Sequence, residues 1–398
     1  MKISYKKKLT ILFYGLLNIN FLSNSIALTP NHLNKHQIQT DQTGGDQKVQ
    51  ASLSITPVIC FTEQETLNGF LFFSTIYGDF LVEDPLIIDL IKSSEMQRLK
   101  KINQYGIDYY AYKLEEYTRY QHSVCVYLLT KKYGASIQEQ AAALLHDVSH
   151  TIFSHSGDFL LNKDSSLDSY QDDIHDYFLQ NSSIKEILNK YNLTTKDVSH
   201  KNPEFKILDQ PIPDLCADRI EYNLYGGYIE GILTVQDVKT ILSDLRFVKG
   251  GWYFEANSSA RLFAYTTLFL TDTRWGSSDN FVRNTLLTIL LERAFEINIM
   301  TFDEIHSSTD DVVWSRLNNS NDSVIKVNLS KLIDLSNHYT LNREQYDLCH
   351  YPKFRAVDPL VKTEKGFFRL KELDKAFNDD SEALRHRISQ GIHIQWKN

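Results

Sequence analysis

AAALLHDVSHTIFSH, residues 141–155, is an apolar helical run that ends in a cluster of metal-binding side chains: His146, Asp147, His150 and His155. Helices normally close on Gly, Asn or basic residues, so this ending calls for a chemical reason. Alone, His-Asp is a weak signal. With 13 histidines in an acidic chain roughly one such dipeptide arises by chance, and His175-Asp176 is a second instance. Two further residues strengthen it. His122 stands upstream in TRYQHSVCVYLL at the head of another apolar helix, and Asp218 stands downstream in PDLCADRIEY on a third. Two imidazoles and two carboxylates from three helices can converge inside a bundle, where metal sites are commonly built from facing helices. Such a set suits one divalent ion, whether Zn, Mn, Fe, Ni, Co or Mg, and does not choose among them. The ion would supply positive charge for phosphate oxygens and lower the pKa of a coordinated water to roughly 7.

Two other readings remain open from local chemistry. His122 and His146 could be buried histidines satisfied by nearby carboxylates. HDVSH also approaches the H-E-x-x-H arrangement of zinc metalloproteases, with Asp in place of the longer Glu. That reading leaves His122 and Asp218 without a role.

The rest of the chain sets the frame. At 398 residues it is long enough for one large or two modest domains. A net charge of -8 gives no general attraction to nucleic acid or anionic lipid. The first stretch has Lys2, Lys6, Lys7 and Lys8, an apolar run from Leu9 to Leu17, and Ser25-Ile26-Ala27 as a small-x-small site. This predicts a signal peptide over 1–27 and an exported protein, periplasmic or secreted. Asn18 and Asn20 keep the run below the ~20 residues a membrane span needs, and no later segment reaches that length, so no transmembrane segment is expected in the mature chain.

Residues 28–65, rich in Asn, Gln, Thr and Gly, read as a flexible linker. Residues 66–300 form the main, mostly helical domain. Helical spacing runs from about 74 to 230, as in Leu86, Ile87, Leu90 and Ile91, and again from about Ala260 to Met300. Between them RFVKGGWYFE (246–255) predicts a short β-hairpin around Gly250-Gly251. Residues 301–398 read as a C-terminal α+β lobe with strand-like FRAVDPLV, GFFRL and IHIQW. The fold class is mainly α. Cys60, Cys125, Cys216 and Cys349 show no C-x-x-C spacing. Cys125 and Cys216 read as small buried hydrophobes, and disulfide status stays open.

In order and spacing, His122, His146-Asp147 and Asp218 resemble the metal-binding signature of the HD-domain phosphohydrolases. MQRLKKINQYGIDYYAY (96–112), TRYQHS (118–123), LLHDVSHTIFSHSGDF (144–159) and DLCADRIEY (214–222) resemble the core of the dNTP triphosphohydrolase branch. KFRAVDPLV (353–361) and the final GIHIQW are similar to the terminal lobe of bacterial members, so the likeness spans roughly 75–398. It implies an HD-domain helical bundle, hydrolysis of a phosphoester or phosphoanhydride of a small, nucleotide-like substrate, and homo-oligomer formation as an option. By the same likeness His122, His146, Asp147 and Asp218 are the metal ligands. His175 matches a catalytic acid or base, with His150, His155 and Asp158 around it. Arg119 matches a phosphate contact, Gln104 a sugar-hydroxyl contact, and Arg219 and Tyr222 positions beside the nucleotide. Each has a plainer reading: Asp172, Asp173 and Asp176 suit a solvated face for His175, and Arg119 could pair with Glu115 or Glu116. The chain also departs from the family pattern. Tyr225 and Gly226 stand where an arginine and an aspartate are usual, and Arg274 and Gly276 where a tyrosine and a histidine help hold the polyphosphate. A hydrolytically weak nucleotide-binding or regulatory protein on the same fold is therefore the alternative.

Overall fold

The computed structural model of the chain describes residues 61–112, 114–161, 170–248 and 250–397. The expected leader over 1–27, and the expected linker up to residue 60, lie outside the described residues. The last five residues assigned to the linker are a strand. β1 (Phe61–Glu65) pairs with β2 (Leu71–Thr75), and β2 with β3 (Gly78–Val82), in an antiparallel meander. Within the three strands only Leu71, Phe73 and Val82 are buried. One face of an antiparallel sheet can stay in water, which is why the polar sequence of β1 resembled a linker. The meander also displaces the helix expected from residue 74; helical spacing begins at Pro85.

From there the apolar pattern reads as expected. Pro85–Ile91 is a helix whose Leu86, Ile87, Leu90 and Ile91 are buried, and Asp84 caps it by accepting from the amides of Leu86 and Ile87. The His122 helix (Arg119–Lys132) is opened by a capping box, in which Thr118 accepts from the Gln121 amide and the Gln121 side chain reaches back to the Thr118 amide. Two helices pack on it: the short helix Ile137–Leu145, whose Ala141, Ala142 and Ala143 are fully buried, and the Asp218 helix Ala217–Ile229. That packing sets His122 and His146, at the end of the second helix, side by side.

The hairpin forms where predicted, β4 (Leu245–Val248) against β5 (Gly251–Phe254), with Gly250 at φ 79° in the turn. β5 then pairs in parallel with β8 (Leu360–Thr363), which pairs with β9 (Gly366–Arg369). A second small sheet has the order β6 (Tyr339–Leu341), β10 (Ile392–Trp396), β7 (Leu348–His350). The β5–β8 pairing carries the hairpin's sheet across the boundary expected at residue 300, and Val58–Asn398 is one compact unit. Among the described residues no helix is long and apolar enough to cross a membrane. Cys125 and Cys216 are buried free thiols as expected, Cys349 is free and exposed, and Cys60 lies outside the described residues.

Candidate metal centre and active site

The helix Ile137–Leu145 stops one residue before His146, which caps it. His146 Nδ1 donates to the Ala143 carbonyl at 2.7 Å, and Gln171 Nε2 donates to the His146 carbonyl at 2.6 Å. On the facing helix, His122 Nδ1 donates to the buried carboxylate of Glu221. With each Nδ1 proton committed, both Nε2 lone pairs point at one place. They lie 3.1 Å apart. Asp218 Oδ1 is 3.1 Å from the first and 3.6 Å from the second, and Asp147 offers Oδ2 at 3.4 Å and Oδ1 at 3.6 Å. One ligand atom from each of His122, His146 and Asp147 falls within 4.8 Å of the others. Two imidazole nitrogens and two carboxylates facing one another need protons or a cation between them, so the residues present fit a divalent ion.

The charge balance agrees. Burial works against charge on His122, but Glu221, Asp218 and Asp147 outweigh it and raise its pKa to about 10. Burial would likewise raise Asp218 and Asp147. The His122 and His146 imidazoles lower Asp218 instead, and Arg119 with His146 and His150 holds Asp147 well below the usual carboxylate range.

Glu221 was not anticipated from sequence. It sits three residues after Asp218, on the same helix face, with no solvent exposure. Besides His122 it accepts from the hydroxyls of Tyr77 at 2.9 Å and Tyr117 at 2.5 Å. The only sequence signal is an acid at i+3 in an otherwise apolar stretch, IEYNLYGG. Partners that fix a ligating histidine are typically worth about 10–100-fold in metal affinity. Glu221→Gln is therefore expected to weaken metal binding by about that factor in a chelator competition titration; unchanged affinity would show that Glu221 does not tune the site.

Arg119 stands in the first turn of the His122 helix, buried, on the Asp147 side of the cluster. Its Nη1 is 2.5 Å from Asp147 Oδ2, its Nε donates to Ser154 Oγ at 2.9 Å, and its Nη2 is 3.3 Å from His155 Nε2. Neither Glu115 nor Glu116 is its partner. His155, exposed, is held by Asp158 at 2.9 Å. His150 Nε2 is 3.1 Å from Asp147 Oδ1, and burial together with Arg119 lowers its pKa to about 4, so it stays neutral.

The two histidines of HDVSH do not share a helix face. The helix has ended, and His150 faces Asp147 and the Ser154 carbonyl. The arrangement a zinc metalloprotease needs is absent there. His175 is not on a solvated face; it is fully buried, with Nδ1 on Ser149 Oγ at 3.1 Å, its ring edge-on to His200 and its Nε2 without a hydrogen-bond partner. Burial, with His200 and His146 nearby, pushes its pKa well below the usual value. No direct hydrogen bond joins it to the four candidate ligands, but Ser149 and Gln171 connect it to the His146 carbonyl. Gln104 has a buried side-chain oxygen with no partner. Arg219 is tied to the backbone carbonyls of Asp214 and Gln210 rather than left free, and Tyr222 packs edge-on to Trp275. Of the departures, Tyr225 stacks on Tyr117, Arg274 is bound by both oxygens of Glu230, and a Cβ at Gly226 would lie 3.1 Å from the Tyr105 hydroxyl. At Gly276 it would lie 2.6 Å from the Thr271 carbonyl oxygen.

No family model matches the chain. It is 28% identical to an uncharacterized protein YdhJ of Bacillus subtilis over 80% of this chain and 97% of that one. It is 35% identical to the metal-dependent phosphohydrolase cns2 of Cordyceps militaris over 45% of this chain and 51% of that one. To the deoxynucleoside triphosphate triphosphohydrolase SAMHD1 of Xenopus laevis it is 26% identical over 46% of this chain and 32% of that one. Among solved structures, a phosphohydrolase of Bacteroides thetaiotaomicron shares the fold with a TM-score of 0.60 at 14% identity, covering 85% of this chain and all of that one. With His122, His146, Asp147 and Asp218 gathered as described, the chain is similar in sequence to proteins named metal-dependent phosphohydrolase and HD domain-containing protein, and it shares the fold of a solved phosphohydrolase.

Proposed function

We propose that this hydrolase cleaves a phosphoester or phosphoanhydride of a nucleotide-like substrate, with one divalent ion held by His122, His146, Asp147 and Asp218. The observation that carries the reading is the meeting of two imidazole lone pairs and two carboxylates beside the buried guanidinium of Arg119. A bound ion would neutralise phosphate charge and lower the pKa of a coordinated water to about 7. Arg119 then binds and orients phosphoryl oxygens and stabilises the charge that builds on them. His155, steadied by Asp158 and exposed beside Arg119, completes the phosphate-binding edge. His175, buried and with an Nε2 that has no hydrogen-bond partner, is the candidate for moving a proton to or from the reacting oxygens.

Gln104 supports a substrate with a hydroxyl or amide donor, since its buried oxygen lacks a partner. The likeness to a named nucleotide hydrolase supports the nucleotide class. The grip on a triphosphate is less well supported, because Arg274 is spent on Glu230 and Tyr225 on Tyr117. Those two contacts are what favours the second reading, a nucleotide-binding protein with little turnover. Phosphate release from a nucleotide panel by the parent protein and by His175→Ala, with each divalent metal in turn, separates them. The expected result is metal-dependent release that falls by about 10²–10⁴ in the variant with metal content kept. Equal rates would remove His175 from the chemistry, and no release by the parent would favour the binder.

A further inference from the structure

Asp310 has no place in the chemistry above, yet it holds the loop that carries much of it. It opens the helix Asp310–Asn318 and has no solvent exposure. Both carboxylate oxygens are spent on backbone amides of two distant segments: Oδ1 accepts from Phe153 at 2.6 Å and Oδ2 from Asn103 at 2.8 Å. Phe153 and Ser154 have φ of 52° and 59°. Consecutive side-chain-bearing residues in that region, one of them a bulky phenylalanine, persist only where their surroundings over-determine them. Gly106 is part of those surroundings, because a Cβ there would stand 2.5 Å from the Phe153 carbonyl oxygen.

The strained pair has a definite output. The Ser154 hydroxyl accepts from Arg119 Nε at 2.9 Å and donates to the Asn103 carbonyl at 2.5 Å. The Ser154 carbonyl lies 3.3 Å from His150 Nδ1 while His150 Nε2 lies 3.1 Å from Asp147 Oδ1, so the imidazole sits between the strained loop and Asp147. His155 follows directly, against Arg119. Arg98 adds a second strut by donating to the His150 carbonyl and to the Ser308 carbonyl, both at 2.9 Å.

We propose that Asp310 is a positioning residue for the active site: its carboxylate clamps residues 153–154 to the 103–106 turn and so holds Arg119, His150 and His155 in place beside the metal ligands. The inference rests on the phosphate-binding role proposed above for Arg119 and His155.

The test uses the full chain and Asp310→Asn, which keeps the size of the side chain but turns an NH₂ toward one of the two amide donors. Turnover of bis-p-nitrophenyl phosphate per bound metal is expected to fall by about 10- to 100-fold, the scale of a small misplacement of binding groups, with metal content unchanged. In an Arg119→Ala background the same substitution should cost less than it does in the parent, since part of its effect runs through Arg119. Parent-like turnover per bound metal, or losses that multiply in the double variant, would overturn the proposal. If Asp310→Asn does not fold, Ser154→Ala leaves the carboxylate in place, removes the hydroxyl on Arg119 and carries the same expectations. If the parent does not turn the ester over, the functional reading fails separately, and amide hydrogen exchange decides the clamp. Faster exchange at Phe153 and Asn103 in the variant supports it, and unchanged protection overturns it.

Discussion

A protein in which His146 and Asp147 are both alanine will purify without bound divalent metal and will release no phosphate above background. The two substitutions remove a nitrogen and a carboxylate from a four-ligand set and leave His122 and Asp218 alone. They also leave Arg119 buried without its carboxylate partner, so a thermal melt should accompany the metal analysis to show that the fold persists. The same chemistry gives a pH dependence in the unaltered protein. Without metal, His122 holds a proton up to about pH 10, and that proton and the ion compete for Nε2. Metal uptake therefore releases protons, and affinity rises with pH and weakens as pH falls. Full metal occupancy in the double variant, or metal affinity that does not change with pH, would contradict the ligand assignment.

Replacing Arg119 with alanine has the second largest expected effect. Arg119 is not a ligand, so metal content should hold, while phosphate turnover should fall by about 10²–10³, the usual cost of removing one donor aimed at developing charge. Arg119→Lys should recover little. A single ammonium cannot reach Asp147, Ser154 and His155 together as the guanidinium fork does. The comparison is made on kcat and KM at saturating metal. A lysine variant with parent activity would mean that only a positive charge is needed there, not the fork.

Three of the four candidate ligands stood out because they lie where a sequence pattern marks a helix end, and Asp147 because it follows one of them directly. His122 follows the Thr118–Gln121 capping box, His146 ends an alanine-rich run, and Asp218 opens a helix in its first turn. The helical core was legible in the same way, from spacings such as Leu86, Ile87, Leu90 and Ile91. What stayed hidden depends on contacts between segments far apart in the chain. Glu221 looks like an ordinary helical acid until Tyr77, more than a hundred residues upstream, is set against it. Asp310 reads as a helix-start acid, and only the folded chain shows its oxygens on Asn103 and Phe153. Arg219 carried a binding role by likeness but is occupied by the loop before its own helix. β1 escaped because a strand with one face in water carries little apolar signal.

One cation held by four side chains is the core of the assignment, and anomalous diffraction at the absorption edge of the metal that copurifies locates it. The expected result is a single strong peak at bonding distance from His122 Nε2, His146 Nε2 and carboxylate oxygens of Asp147 and Asp218. A peak elsewhere, or one whose neighbours leave out both imidazoles, would contradict it.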